Sequence, residues 1–250
     1  MLRSYGDSQV FGETYGTGPI RVVWLHGWAR QAHDFTAAAQ LLADRGFASV
    51  ALDLPGFGSS PAPKSAGGAQ LYAELILPTV REVSNSPLVV VGHSFGGRVG
   101  LLLASEHPEL VKELVLTGVP LLRLGPTRRS PLAYRVVRFL AGHHLISDAR
   151  LEAARQKYGS SDYRNASGVI RDVLVATMQE NYEAALSSLR TPVTFLWGEG
   201  DREAPPEVAE RAADMVTSSS NVRVLAGVGH FVPLEAAEEL VDVTTRAIRS

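Results

Sequence analysis

The chain has 250 residues, 45% of them hydrophobic, with a formal net charge of −2 and no cysteine. Such values suit one large α/β domain with a sizeable core. They exclude disulfides and thiolate metal sites, and they give no global attraction for nucleic acid or an anionic membrane.

Residues 1–19 hold Gly6, Gly12, Gly16 and Gly18 around a short segment at Gln9-Val10-Phe11, and they predict an antiparallel hairpin at a sheet edge. They contain no apolar core of a signal peptide, and nowhere does an apolar run approach the length of a bilayer span. The expectation is a cytoplasmic, soluble protein.

Ile20 to Leu25 reads as a strand ending at His26-Gly27-Trp28. A helix follows from Asp34 to Arg45, with Phe35, Ala38, Leu41 and Leu42 on one face and Gly46 as its stop. The next strand, Ala48 to Leu54, closes at Pro55-Gly56-Phe57-Gly58. A loop rich in Pro, Ser and Gly then leads to a helix over Ala69 to Val83, which Pro78 is placed to kink.

The central stretch is Leu88-Val89-Val90-Val91-Gly92-His93-Ser94-Phe95-Gly96-Gly97, a buried strand running through Gly-x-Ser-x-Gly into a helix. A serine on such a strand-to-helix turn is held in a strained backbone with its hydroxyl above the sheet edge. The five-residue pattern alone would arise in roughly one chain in ten of this length. Its weight comes from the strand, the helix and partners elsewhere.

Beyond the strand Glu113 to Val119 the rhythm changes. Residues 121–189 look helical, with pieces at Leu132 to Ala141, Ala149 to Lys157, and Ser167 to Leu189 breaking near Asn181. Alternation resumes with strand Thr191 to Trp197, helix Glu207 to Met215, strand Asn221 to Leu225 and helix Leu234 to Arg249. Alternating strands and helices predict a mostly parallel sheet covered on both faces. Residues 1–120 and 190–250 then form the core, and 121–189 is a helical insertion at the strand ends, where such sheets bind ligands.

A serine nucleophile needs a base and a group to orient that base. Of seven histidines, His230 lies in Gly227-Val228-Gly229-His230-Phe231, directly after the last strand and on the edge where Ser94 points. His26 and His93 also stand at strand ends, while His33, His107, His143 and His144 fall in loop or insertion positions. The orienting acid is expected after a strand on that edge too. Trp197-Gly198-Glu199-Gly200-Asp201 supplies Asp201, with Glu199 and Glu203 as competitors. Asp53, ahead of Pro55-Gly56, reads as a structural turn. The order Ser94, Asp201, His230 is that of the elbow-type hydrolase fold.

These motifs, together with His26-Gly27-Trp28 and Asp53-Leu54-Pro55-Gly56-Phe57-Gly58-Ser59, resemble the α/β-hydrolase superfamily over essentially the whole chain. The core motifs are similar to those of pimeloyl-carrier-protein methyl ester esterases. The resemblance implies an α/β-hydrolase fold, a lid formed by residues 121–189, and an oxyanion hole built from the backbone N–H groups of Trp28 and Phe95. It implies a serine esterase acting on a small-molecule ester, an anionic or carrier-bound one included, with no cofactor, metal, nucleic acid or membrane. Carbon–carbon bond cleavage of a diketone-type substrate and a small-molecule receptor with weak turnover stay open, as does the oligomeric state.

Charge is uneven: residues 121–170 carry nine Lys and Arg against three Asp and Glu, a net +6, leaving −8 elsewhere. Solvated helix faces are the plainer reading, attraction for an anionic substrate or acidic carrier the functional one. Leu121, Leu122, Phe139, Leu140, Val173, Leu174 and Met178 could line an acyl pocket or simply pack within the insertion.

Overall fold

The structure, a computed structural model, describes residues 2–6, 10–124, 136–137, 139–141, 143, 145–158 and 160–250. An eight-stranded sheet runs through it in the order β1-β2-β4-β3-β5-β6-β7-β8. Its strands are β1 (Leu2–Tyr5), β2 (Val10–Tyr15), β3 (Ile20–Leu25), β4 (Ala48–Asp53), β5 (Leu88–His93), β6 (Val111–Thr117), β7 (Val193–Gly198) and β8 (Ser220–Leu225). β1 and β2 form the expected antiparallel hairpin at one edge, and β2 pairs antiparallel with β4. All other pairings are parallel.

Side-chain alternation explains why both faces are covered. Val23, Leu25, Val50, Leu52, Val90, Leu114, Leu116, Phe195 and Trp197 belong to one buried cluster with α2 (Ala69–Val83), α3 (Phe95–Glu106) and a later helix, Pro206–Met215. Their strand neighbours Val22, Trp24, Ala51, Val89, Val91, Val115 and Leu196 belong to the other, with α1 (Thr36–Asp44) and the C-terminal helix Ala237–Arg249. Near-continuous Val and Leu in these strands is what two-sided burial demands. The result is the mostly parallel sheet covered on both faces that the alternation predicted, and it agrees with the α/β-hydrolase fold that the resemblance implied.

Between β6 and β7 the described residues form α4 (Asp148–Tyr158), α5 (Ser161–Asn165), α6 (Gly168–Thr177) and α7 (Glu183–Ser188). The expected break near Asn181 falls between α6 and α7. Half of the helix expected over Leu132 to Ala141 lies outside the described residues, as do Arg128, Arg129, Arg135, Arg138 and His144, while 136–137 and 139–141 are helical. Glu180 ties this region to the core: its carboxylate accepts from Ala69 N at 2.9 Å and Gln70 N at 3.3 Å, at the N-terminus of α2. An anion there meets otherwise unpaired amides and the positive end of the helix dipole.

After β7 come α8 (Pro206–Met215), α9 (Val232–Glu235) and α10 (Ala237–Arg249). The single helix expected from Leu234 is therefore two, broken at Ala236 (φ −145°, ψ 53°). Glu235 supplies the reason. Its carboxylate turns back to accept Gly229 N at 2.7 Å and Phe231 N at 3.0 Å, so it holds the loop that carries His230 and leaves the next helix to start afresh.

Candidate active site

Register places the strand ends side by side. Leu25 is opposite Leu52 on one side and Gly92 on the other, Gly92 is opposite Leu116, and Leu116 is opposite Phe195. His26, Asp53, Ser94 and the loops after β7 and β8 consequently emerge on one sheet edge.

Ser94 sits at φ 48°, ψ −111°, a region that non-glycine residues rarely enter. Two bonds hold it there: Ser94 N donates to Thr117 O at 2.9 Å, and Gly96 N donates to His26 O at 3.0 Å. The turn is tight enough to require glycine. A Cβ on Gly92 would stand 2.5 Å from Gly97 Cα, and one on Gly96 would strike Leu25 O and lie 2.6 Å from His26 O. Strand and helix backbones touch here, as the sequence pattern required.

Asp201 and His230 meet directly. His230 Nδ1 is 2.8 Å from Asp201 Oδ2, while Asp201 Oδ1 accepts the amides of Glu203 and Ala204, each at 2.9 Å. Burial by itself would push the Asp201 carboxyl up, but the hydrogen bonds from His230 and the two amides hold it below its usual range. With Nδ1–H donating to a carboxylate, Nε2 is left as the bare acceptor. That side of the ring meets Glu203 Oε2 at 3.4 Å. Asp201 and one of its two competitors, Glu203, thus occupy opposite sides of one imidazole, Asp201 buried and Glu203 largely exposed.

Ser94, His230, Trp28 and Phe95 line a single cavity of about 650 Å³, together with Gly27, Arg30, His93, Arg98, Leu174, Met178 and Glu203. The Ser94 hydroxyl makes no hydrogen bond among the described residues, so the cavity, rather than a direct bond, links it to His230. Catalytic hydrogen bonds are often long before substrate arrives. The amides of Trp28 and Phe95 have no hydrogen-bond partner among the described residues. Trp28, Phe57, Phe95 and Tyr72 form an edge-to-face aromatic group under the cavity, with Trp28–Phe95 centroids 5.4 Å and Tyr72–Phe95 4.9 Å apart. Packing of this kind fixes the loop after β3 against the elbow.

The other strand-end histidines are structural. His26 is fully buried; its Nδ1–H donates to Gly27 O at 2.7 Å and its Nε2 accepts from Leu54 N at 2.9 Å, and burial keeps it neutral by lowering its pKa. His93 Nδ1 reaches Thr117 O at 3.1 Å, and burial depresses its pKa to about 3. Its ring stands 4.8 Å from that of His230. Asp53 is the structural turn expected of it: its carboxylate accepts Ala32 N at 2.7 Å and Ser59 N at 2.8 Å. Among the described residues no group of three or more His, Cys, Asp or Glu is gathered as a metal site would need.

The alpha/beta hydrolase family model matches residues 22–243. The chain belongs to the alpha/beta hydrolase family. It is 26% identical over 253 residues to the uncharacterized hydrolase YugF of Bacillus subtilis, covering 92% of this chain and 90% of the relative. With a pimeloyl-[acyl-carrier protein] methyl ester esterase of Chromobacterium violaceum it shares 38% identity over 109 residues, only 44% of this chain and 40% of that one. Among solved structures, a thioesterase domain from the curacin biosynthetic pathway superposes with a TM-score of 0.73 at 21% identity, covering 98% of both chains. At that identity the superposition speaks to the fold alone. As a member of this family the chain is a hydrolase enzyme.

Sequence reasoning did not single out Arg98, Glu180 or Glu235. Only Arg98 carried a signal, being four residues beyond Ser94 on the helix that starts there.

Proposed function

We propose that this alpha/beta hydrolase cleaves a small carboxylic ester through an acyl-enzyme on Ser94, with His230 as base and Asp201 as the group that orients it. Ser94 Oγ attacks the ester carbonyl while His230 Nε2 takes its proton. The oxyanion that forms accepts hydrogen bonds from the amides of Trp28 and Phe95, donors of a kind that each contribute about 3 kcal/mol in related chemistry. The proton passes from His230 to the departing alcohol. Water, activated by the same imidazole, then releases the acid.

One observation carries this reading: the 2.8 Å hydrogen bond between His230 and the buried Asp201, in the wall of the cavity that also holds the strained Ser94. The partial match to a methyl ester esterase lends it weight. In this reading the described part of residues 121–189 serves as the lid, a role supported by Leu174 and Met178 in the cavity lining. No described helix is long and apolar enough to cross a membrane.

Labelling with a fluorophosphonate and hydrolysis of short-chain nitrophenyl esters test the proposal. Both are expected to vanish in Ser94→Ala. Retained turnover in that variant would remove Ser94 from the mechanism, and a wild-type protein inert to every ester would remove the ester reading.

A further inference from the structure

Arg98 lines the same cavity, one helical turn beyond Ser94: its amide donates to Ser94 O at 3.3 Å. Both residues line the one cavity, so Arg98 borders the space that an ester bound at Ser94 would fill. What surrounds it is unusual for an arginine. Its Nη2 donates to the backbone oxygen of Pro120 at 3.2 Å, its guanidinium packs on the Tyr182 ring at 5.5 Å, and its Nε is buried with no hydrogen-bond partner.

No carboxylate pairs with it among the described residues. Glu180 acts on it only from a distance, because that carboxylate is already engaged by Ala69 N, Gln70 N and the Tyr182 hydroxyl, the last at 2.7 Å. Residues 121–147 of the sequence contain no Asp or Glu. Arg30, the other arginine on the cavity wall, differs: Asp34 clamps it with two bonds of 2.6 and 2.7 Å. The acids on the wall, Asp162 and Glu203, form no ion pair with Arg98, and Glu203 stands against His230 instead.

A largely buried guanidinium without a counter-ion is costly, and an arriving anion removes that cost while forming charge-assisted hydrogen bonds. The geometry points to Arg98 as the specificity residue for an ester whose acyl part carries a carboxylate a few carbons from the scissile carbonyl, a half-ester of a short dicarboxylic acid. This rests on the ester-hydrolase reading and names the substrate class of that site.

The test compares p-nitrophenyl hemisuccinate with p-nitrophenyl butyrate, which has the same acyl length and no charge. In the wild-type protein the hemisuccinate is expected to have the higher kcat/KM. In Arg98→Gln the ratio of the two kcat/KM values should fall about 10- to 100-fold, chiefly through KM, and Arg98→Lys should restore part of it. A wild-type enzyme with no preference for the charged ester, or a Gln variant with an unaltered ratio, would overturn the assignment. Equilibrium binding of succinate to Ser94→Ala, against the same variant carrying Arg98→Gln, reads the subsite without turnover. Tighter binding when Arg98 is present supports it, and equal binding refutes it. Absence of turnover on both esters together with Arg98-dependent succinate binding would count against the hydrolytic reading alone.

Discussion

His93, beside Ser94, is expected to make this fold acid-sensitive through a traceable source. A free histidine titrates near 6.5, whereas His93, 2% exposed, is held to about 3 by burial. Below pH 6.5 the unfolded chain binds a proton that the folded chain refuses. Stability from this residue is therefore complete above that pH and falls as pH drops, by about 1.4 kcal/mol per unit, until about pH 3. Between pH 7 and pH 5 the loss from this one side chain comes to about 2 kcal/mol.

His93→Asn removes the titration while its amide NH2 can still donate to Thr117 O. Urea unfolding of both proteins at pH 7, 6 and 5, followed by tryptophan fluorescence, measures the difference. The fully buried His26 adds a loss of the same sign in each and cancels. The variant should lose about 2 kcal/mol less than wild type over that interval. Parallel slopes in the two proteins would refute the argument, because they would mean that His93 takes its proton in the folded state.

Asp201→Asn should leave the fold intact yet lower kcat by about 10,000-fold, since an amide does not hold the imidazole in the tautomer that bares Nε2; steady-state ester hydrolysis measures it. Gly96→Ala drives a methyl into the carbonyls of Leu25 and His26. It should cost about 3 kcal/mol and reduce the melting temperature by roughly 6–12 °C, with loss of fluorophosphonate labelling.

Much of this was legible in the sequence because it depends on periodicity. The apolar, mostly β-branched run Leu88 to Val91 and the glycines at 92 and 96 carry strand, turn and helix in their spacing, and parallel topology then puts everything after a strand on one edge. Asp201 and His230 could be paired from position alone. What the sequence concealed depends on side chains that reach across the fold. Glu235 looks like any acid in a helix, yet it caps the loop of His230 and splits the expected C-terminal helix at Ala236. Glu180 reaches α2 from more than a hundred residues away. Nothing near Arg98 in the sequence points to the Pro120 oxygen and the Tyr182 ring that its guanidinium meets.

The two bonds that hold the elbow have a consequence for how the molecule acquires activity. Ser94 is fixed by the ends of β3 and β6, and the imidazole arrives from beyond β8, so the working parts are drawn from residues 26 to 230. Parallel pairings of such sequence separation close late, because long loops must be ordered before their contacts reward it. Helix signal and hydrophobic collapse should return early in refolding, and turnover only when the last strand docks. Recovery of turnover is therefore expected to trail recovery of helix signal, and coincident recovery of the two would refute that order.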